Sequence, residues 1–99
     1  MSIRFGAKSP NAARMADLPG VTLYGKPDCH LCDEAEDRLR SLSRQAGLTY
    51  SKVDIQRSPE RFARYRYRIP VIEIEGGATL DWPVTEEQLW TAVRAAAHR

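Results

Sequence analysis

Two cysteines stand three residues apart in the tetrapeptide Cys29-His30-Leu31-Cys32, and the chain of 99 residues has no others. In a protein that is not secreted, an isolated Cys-x-x-Cys pair is typical of thiol redox chemistry or of metal binding. A structural zinc site takes four Cys or His ligands, whereas the only histidines are His30, inside the motif, and His98. The pair therefore favours redox chemistry over a complete metal site in one chain.

The placement of Cys29 indicates how this chemistry would work. A strand precedes the pair and helical periodicity follows it, so Cys29 falls at a helix N-terminus, where free backbone N–H groups and the helix dipole favour a thiolate. Lys26, and His30 when protonated, add positive charge nearby. Cys32 follows one helical turn later, at a spacing of about 5–6 Å between Cβ atoms, within reach of a disulfide after a small adjustment.

Two other interpretations of the pair stay open. Cys32 has the spacing of a buried position, so a structural role as a small hydrophobic residue is the first alternative. Metal binding also remains open, because two chains together have enough ligands to share one cluster.

The elements that position the pair follow one another with short connections. The predicted order is β-α-β-α-β-β-α, without internal repeats. The strands are predicted at Val21–Gly25, Leu48–Ile55, Pro70–Glu75 and Ala78–Trp82, and the helices at His30–Ala46, from Ser58-Pro59 to about Tyr67, and from the capping box at Thr85 onward.

Periodicity also predicts which side chains are buried. The first helix has an apolar stripe formed by Leu31, Ala35, Leu39, Leu42 and Ala46, and the last helix has one formed by Leu89, Val93 and Ala96 or Ala97. Phe62 and Tyr65, or Tyr67, are predicted on the core side of the second helix, and Trp90 is predicted to pack on the sheet. On the outer face of the first helix, Glu34 is expected to pair with Arg38 and Glu36 with Arg40.

Residues 1–20 show no periodicity and are predicted to form a mobile leader before a domain at 21–99, with Met15 as a possible start of translation. We find no apolar run long enough for a signal peptide or a membrane span, so we expect a cytoplasmic protein. The net charge of +2 is too small to indicate nucleic acid or a membrane surface as the partner. We expect a monomer.

Five of the chain's arginines lie in one short stretch: Arg57, Arg61, Arg64, Arg66 and Arg68. One interpretation is a solvated helix face. The other is a surface that guides an acidic partner, or the carboxylates of glutathione, to the thiol site through bidentate contacts.

A family resemblance rests on the Cys-x-x-Cys pair after the first strand, Ile69-Pro70-Val71 at the third strand and Gly76-Gly77 in the hairpin. In these motifs, residues 21–97 resemble glutaredoxin-like proteins of the thioredoxin superfamily. The resemblance implies an α/β fold of three layers, with helices on both faces of a four-stranded mixed sheet. It also implies that Cys29 is the nucleophile, that Cys32 resolves the mixed disulfide, and that Pro70 is cis and faces the disulfide. Ile69 would then offer its backbone to an extended thiol substrate.

Lys26 matches the position where glutaredoxins place a basic residue that contacts a glutathione carboxylate, and His30 lies inside the motif. The chain departs from the usual Pro-Tyr between the cysteines, and it has Leu80-Asp81-Trp82-Pro83 where glutaredoxins hold glutathione with Gly-Gly and an acidic pair. The resemblance is therefore to the small bacterial glutaredoxin-like proteins of undefined substrate.

The resemblance implies a thiol-disulfide oxidoreductase that binds no metal and no resident cofactor. Its partner would be a disulfide-containing protein or glutathione, the latter as a co-substrate held near Lys26, His30, Ile69 and Pro70. Two alternatives stay open: a thioredoxin-fold binding module without turnover, and a glutathione-assisted iron–sulfur cluster carrier. The sequence does not identify the electron donor.

Overall fold

The computed structural model of the chain describes residues 18–97. It has four strands: β1 Val21–Gly25, β2 Tyr50–Asp54, β3 Val71–Ile74 and β4 Thr79–Asp81. They form one mixed sheet in the order β2-β1-β3-β4. β1 pairs in parallel with β2 and antiparallel with β3, and β3 pairs antiparallel with β4.

Three helices and one 3-10 turn connect these strands. They are α1 His30–Ala46, the 3-10 turn Ile55–Arg57, α2 Pro59–Tyr65 and α3 Glu86–Ala97. The predicted order of elements is confirmed, although the last three strands and α2 are each shorter than predicted. Gly47 ends α1 with a φ of 76°, a left-handed conformation that glycine adopts without steric cost.

The main core lies between one face of the sheet and the helices α1 and α3. Leu23 and Ile72 are paired across β1 and β3 on this face, and both are buried together with Leu39 and Leu89. Most of the predicted stripe of α1 is confirmed, but the prediction for Leu31 is wrong, because 48% of this side chain is exposed in the first turn.

A second core on the opposite face gives the domain its third layer. It is formed by Tyr24, Ile55, Tyr65 and Val71. The rings of Tyr24 and Tyr65 stack with their centroids 4.5 Å apart. Of the two tyrosines offered by the prediction, Tyr65 is the buried one and Tyr67 is exposed. The prediction for Phe62 is wrong, because its ring is exposed and lies 4.9 Å from the guanidinium of Arg66.

The outer face of α1 is partly as predicted. Arg40 pairs with Glu36 at 3.4 Å, whereas Glu34 pairs with His30 at 3.0 Å instead of with Arg38. The guanidinium of Arg38 lies 5.4 Å from the ring centre of Trp82, and this tertiary contact replaces the predicted pair. Trp90 packs against the main core, as predicted, and Trp82 does the same.

Contacts with the domain begin before the predicted boundary at Val21. Leu18 packs against the main core, and Gly20 exchanges two hydrogen bonds with Glu75, at 3.2 and 2.9 Å. The rest of the predicted leader, with Met15, lies outside the described residues, as does His98. Across residues 18–97, no helix has the length and apolar character needed to cross a bilayer.

Candidate active site

The Cys29–Cys32 pair lies at the junction of β1 and α1. The chain leaves β1 at Gly25 and turns at Asp28, whose φ of 59° is left-handed, a conformation that aspartate tolerates better than most residues. Cys29 is then extended, with φ −115° and ψ 107°, and forms the N-cap of α1. This loop places Cys29 before the first helical turn and Cys32 inside it.

The two cysteines form a disulfide, with their Cα atoms 5.2 Å apart. Cys29 is half-buried, whereas only 6% of Cys32 is exposed. The Cys32 backbone N–H donates a hydrogen bond of 3.2 Å to the Sγ of Cys29. Because this donor belongs to the positive end of α1, negative charge on the Cys29 sulfur is favoured there. The more accessible sulfur is therefore also the one placed to be a thiolate.

Gly25 provides the space that Cys32 occupies. A Cβ atom on Gly25 would lie 2.9 Å from the Sγ of Cys32, closer than real Cβ atoms approach other atoms, and 3.2 Å from the Cβ of Cys32, a tight contact. The sulfur of Cys32 thus packs directly on the backbone at the end of β1. The sequence interpretation treated Gly25 only as the end of a strand; its position just before the Cys-x-x-Cys loop was the available signal.

A cleft of about 320 Å³ opens beside Cys32, and Lys26 lies on its wall. Farther along the same wall, Glu36 binds the ammonium of Lys52 at 2.9 Å and accepts a hydrogen bond of 3.1 Å from the hydroxyl of Tyr50. The hydrogen bond from Lys52 lowers the pKa of Glu36, against the opposing effect of burial. The cleft therefore carries a fixed carboxylate next to the less exposed sulfur.

Pro70 reaches the same end of the sheet from β3. Tyr24 pairs with Val71 in the β1–β3 ladder, so the preceding residue of β3 lies beside Gly25. The Ile69–Pro70 bond is cis, as the resemblance implies, and Pro70 is buried. The Trp82–Pro83 bond is also cis, which was not predicted.

The remaining predicted site residues differ in their placement. Lys26 is exposed and lies on the cleft with Cys32. Ile69 is half-buried and packs against the second core. The side chain of His30 is 85% exposed, and its Nε2 pairs with Glu34 on the outside of α1. The fold therefore places Lys26 on the cleft beside Cys32 and Pro70 next to Gly25, and it directs His30 toward solvent.

Tyr24 lies under the site, one residue before Gly25. Its hydroxyl donates a hydrogen bond of 2.8 Å to Glu73. Burial raises the pKa of Tyr24, and the hydrogen bond to the Glu73 carboxylate raises it further. In the described part of the chain, no group of three or more His, Cys, Asp or Glu side chains is placed to hold a metal ion.

The sheet order, the helices on both faces and the cysteine pair at the start of α1 define a dithiol protein of the thioredoxin fold. Residues 20–94 match the family described as Glutaredoxin-like domain (DUF836), and the chain belongs to this family.

Solved structures agree with this assignment. The chain is similar to the Northeast Structural Genomics target protein XcR50 from X. campestris: its X-ray structure gives a TM-score of 0.61 at 35% identity, covering 72% of this chain and 91% of that one. The solution structure of the same protein gives a TM-score of 0.60 at 32% identity and covers 72% of this chain and 87% of that one. The crystal structure of oxidized thioredoxin O2 from Arabidopsis thaliana gives a TM-score of 0.53 at 18% identity and covers 81% of this chain and 80% of that one. It shows the shared fold.

Proposed function

We propose that this protein is a thiol-disulfide oxidoreductase in which Cys29 attacks a substrate disulfide and Cys32 resolves the mixed disulfide. The observation that carries the proposal is the unequal setting of the two sulfurs. The Sγ of Cys29 is the more accessible one and accepts a hydrogen bond from the first turn of α1, while Cys32 is buried beside it. A nucleophile and a resolving thiol require this asymmetry.

The reaction begins from the dithiol form. The Cys29 thiolate forms a bond to one sulfur of the substrate disulfide, and the other substrate sulfur leaves as a thiolate. The Cys32 thiolate then attacks the Sγ of Cys29, which forms the Cys29–Cys32 disulfide and releases the second substrate thiolate. The substrate gains two electrons and the two thiol protons of the protein, and the protein is oxidised by two electrons. A reducing thiol, such as glutathione, or a dithiol reductase must restore the dithiol form.

Neighbouring residues have supporting roles in this proposal. The ammonium of Lys26 stabilises negative charge at the site and is placed to contact a substrate carboxylate. The backbone carbonyl of Ile69 pairs with an extended substrate, because the Ile69 N–H already donates a hydrogen bond of 3.0 Å to the Tyr65 carbonyl. The buried Pro70 holds Ile69 beside the end of β1. His30 has no direct role, since its side chain is turned toward Glu34.

The test uses the dithiol form of the wild-type protein, Cys29→Ser and Cys32→Ser, with a fluorescent peptide disulfide as the substrate. We expect wild type to reduce the peptide, Cys29→Ser to be inactive, and Cys32→Ser to accumulate a mixed disulfide visible by mass spectrometry. Running the assay with glutathione and with thioredoxin reductase as alternative electron donors identifies the donor. Activity that survives in Cys29→Ser, or a wild-type protein that reduces nothing, would contradict the proposal.

A further inference from the structure

Four arginines next to the proposed site have no acidic partner within the described residues. Arg68 pairs with Asp81 at 3.0 Å, and Arg40 pairs with two carboxylates of α1. Within residues 57–68, four arginines form no ion pair: Arg57, Arg61, Arg64 and Arg66, which we call the arginine surface. All four are exposed, and between residues 55 and 69 the only acidic residue is Glu60. This part of the protein therefore carries a local excess of positive charge.

Aromatic rings hold part of the arginine surface in place. The guanidinium of Arg66 lies 4.9 Å from the ring centre of Phe62 and 4.6 Å from that of Tyr67, and Tyr67 is 86% exposed. Arg64 lies 5.9 Å from the ring centre of Tyr65. Stacking orients a guanidinium and leaves its N–H edges free for carboxylates. Less side-chain entropy is then lost when an anion binds.

The arginine surface borders the thiol site. The chain runs from Arg66 through a short turn to Ile69 and the buried Pro70, which lies beside Gly25 in the sheet. Tyr65 of α2 stacks on Tyr24, the residue before Gly25. Burial raises the pKa of Tyr24, and the charge of Arg61 opposes this rise, which agrees with its closeness to β1.

The loop before α1 and the outer face of α1, on the other side of the site, carry four exposed carboxylates. They are Asp28, Asp33, Glu34, which pairs with His30, and Asp37, which pairs with Arg40. An acidic chain that approaches Cys29 is repelled by α1 and attracted by the arginine surface. The charges would thus select one orientation of the substrate as well as its composition.

We propose that the arginine surface binds an Asp- or Glu-rich segment of the protein whose disulfide meets Cys29. This inference rests on the proposed function and names the class of substrate for the same site. A long polyanion such as RNA fits less well, because it would also have to pass the acidic start of α1, and the net charge of the chain is only +2.

Two peptides with the same internal disulfide test the inference, one flanked by four glutamates and one by four glutamines. We expect the dithiol form of the protein to reduce the glutamate peptide about ten-fold faster at low salt, a typical size for electrostatic steering. In 1 M NaCl, where the Debye length is about 3 Å, the ratio of the two rates should approach one.

Charge reversal locates the effect. In Arg61→Glu/Arg64→Glu, the glutamate peptide should be reduced no faster than the glutamine peptide. The control variant Arg44→Glu/Arg94→Glu changes the net charge by the same amount on other helices and should retain most of the preference for the glutamate peptide. Arg61→Gln/Arg64→Gln serves if the reversed variant does not fold, as judged by circular dichroism. Equal rates for both peptides in wild type, with both peptides reduced, would overturn the inference and leave the proposed function intact.

A binding measurement with a redox-inactive variant tests the acidic-segment inference separately from the proposed oxidoreductase function. Cys29→Ser/Cys32→Ser and peptides with serine in place of cysteine allow affinity to be measured by fluorescence anisotropy without any thiol chemistry. Preferential binding of the glutamate peptide, lost in Arg61→Glu/Arg64→Glu, supports the inference even if no reduction is observed. If a labelled ten-nucleotide RNA binds tighter than the glutamate peptide and loses binding in the same variant, the proposed class of partner is wrong.

Discussion

The Sγ of Cys32 packs on the backbone of Gly25, where a Cβ atom would lie only 2.9 Å from the sulfur. We predict that Gly25→Ala destabilises the protein by about 1–3 kcal/mol, the usual cost of overpacking a filled site. It should also slow closure of the Cys29–Cys32 disulfide, since the sulfur must move. Urea unfolding measures the first effect, and the rate of oxidation by a small disulfide measures the second.

Two glycine variants serve as controls for this prediction. Gly20→Ala places its Cβ 3.4 Å from a Glu75 carboxylate oxygen, an ordinary contact, and should change little. Gly77→Ala places its Cβ 2.8 Å from that of Ala96, so it should lower stability without affecting disulfide closure. Equal closure rates in Gly25→Ala and Gly77→Ala would show that the contact with Cys32 has no role in the chemistry.

Tyr24→Phe should change the behaviour of the protein in alkali. Because burial, followed by the hydrogen bond to Glu73, raises the pKa of Tyr24, the folded protein disfavours its ionised form. Wild type should therefore lose stability as the pH rises through the ordinary tyrosine pKa of 10.0 toward the raised value, and Tyr24→Phe should lose less. The absorbance titration at 295 nm should also lose its highest-pH component in Tyr24→Phe but keep it in Tyr67→Phe.

Glu36→Gln should show the opposite dependence on pH. Hydrogen bonding to Lys52 lowers the pKa of Glu36, so its contribution to stability is complete above the ordinary value of 4.5 and is lost as the pH falls through the lowered value. We expect the variant to be about 1 kcal/mol less stable than wild type at pH 7, with the difference shrinking in acid. Glu34→Gln, which breaks an exposed pair with His30, should lower the stability less than Glu36→Gln does. If the stability difference between wild type and Glu36→Gln does not vary with pH, the lowered pKa of Glu36 is contradicted.

Thr85 and Gln88 form a reciprocal cap at the start of α3. The Gln88 N–H donates to the Thr85 hydroxyl at 3.0 Å, and the Thr85 N–H donates to the Gln88 side chain at 2.8 Å. Thr85→Ala should lower the free energy of unfolding by about 1 kcal/mol. Thr91→Ala, at an exposed position inside the same helix, should not lower it, because alanine has the higher helix propensity, and urea unfolding of the two variants makes the comparison.

Local patterns predicted most of the fold, and tertiary contacts account for the errors. The bounds of α1 and its end at Gly47 followed from periodicity and a glycine signal. Leu31 satisfies the same periodicity, yet it lies in the first turn of α1 and remains exposed. Phe62 was predicted on the core side of α2, yet it remains exposed and contacts the guanidinium of Arg66, while Tyr65 alone of the two candidate tyrosines is buried.

In the candidate site too, some features could be predicted from the sequence and others depend on tertiary contacts. The cysteines could be found from their spacing, and the cis bond before Pro70 followed from a family resemblance. The tight contact between Gly25 and Cys32 depends on how α1 packs on β1, and the cis Trp82–Pro83 bond was not predicted.

The Sγ of Cys29 is the acceptor that begins α1, and it is also the atom proposed to attack the substrate. In a disulfide this acceptor is neutral, whereas as a thiolate it carries a full charge at the positive end of the helix. The first turn of α1 is therefore held more firmly in one oxidation state than in the other. A substitution of Cys29 therefore changes the order of this turn and the reactivity of the site together.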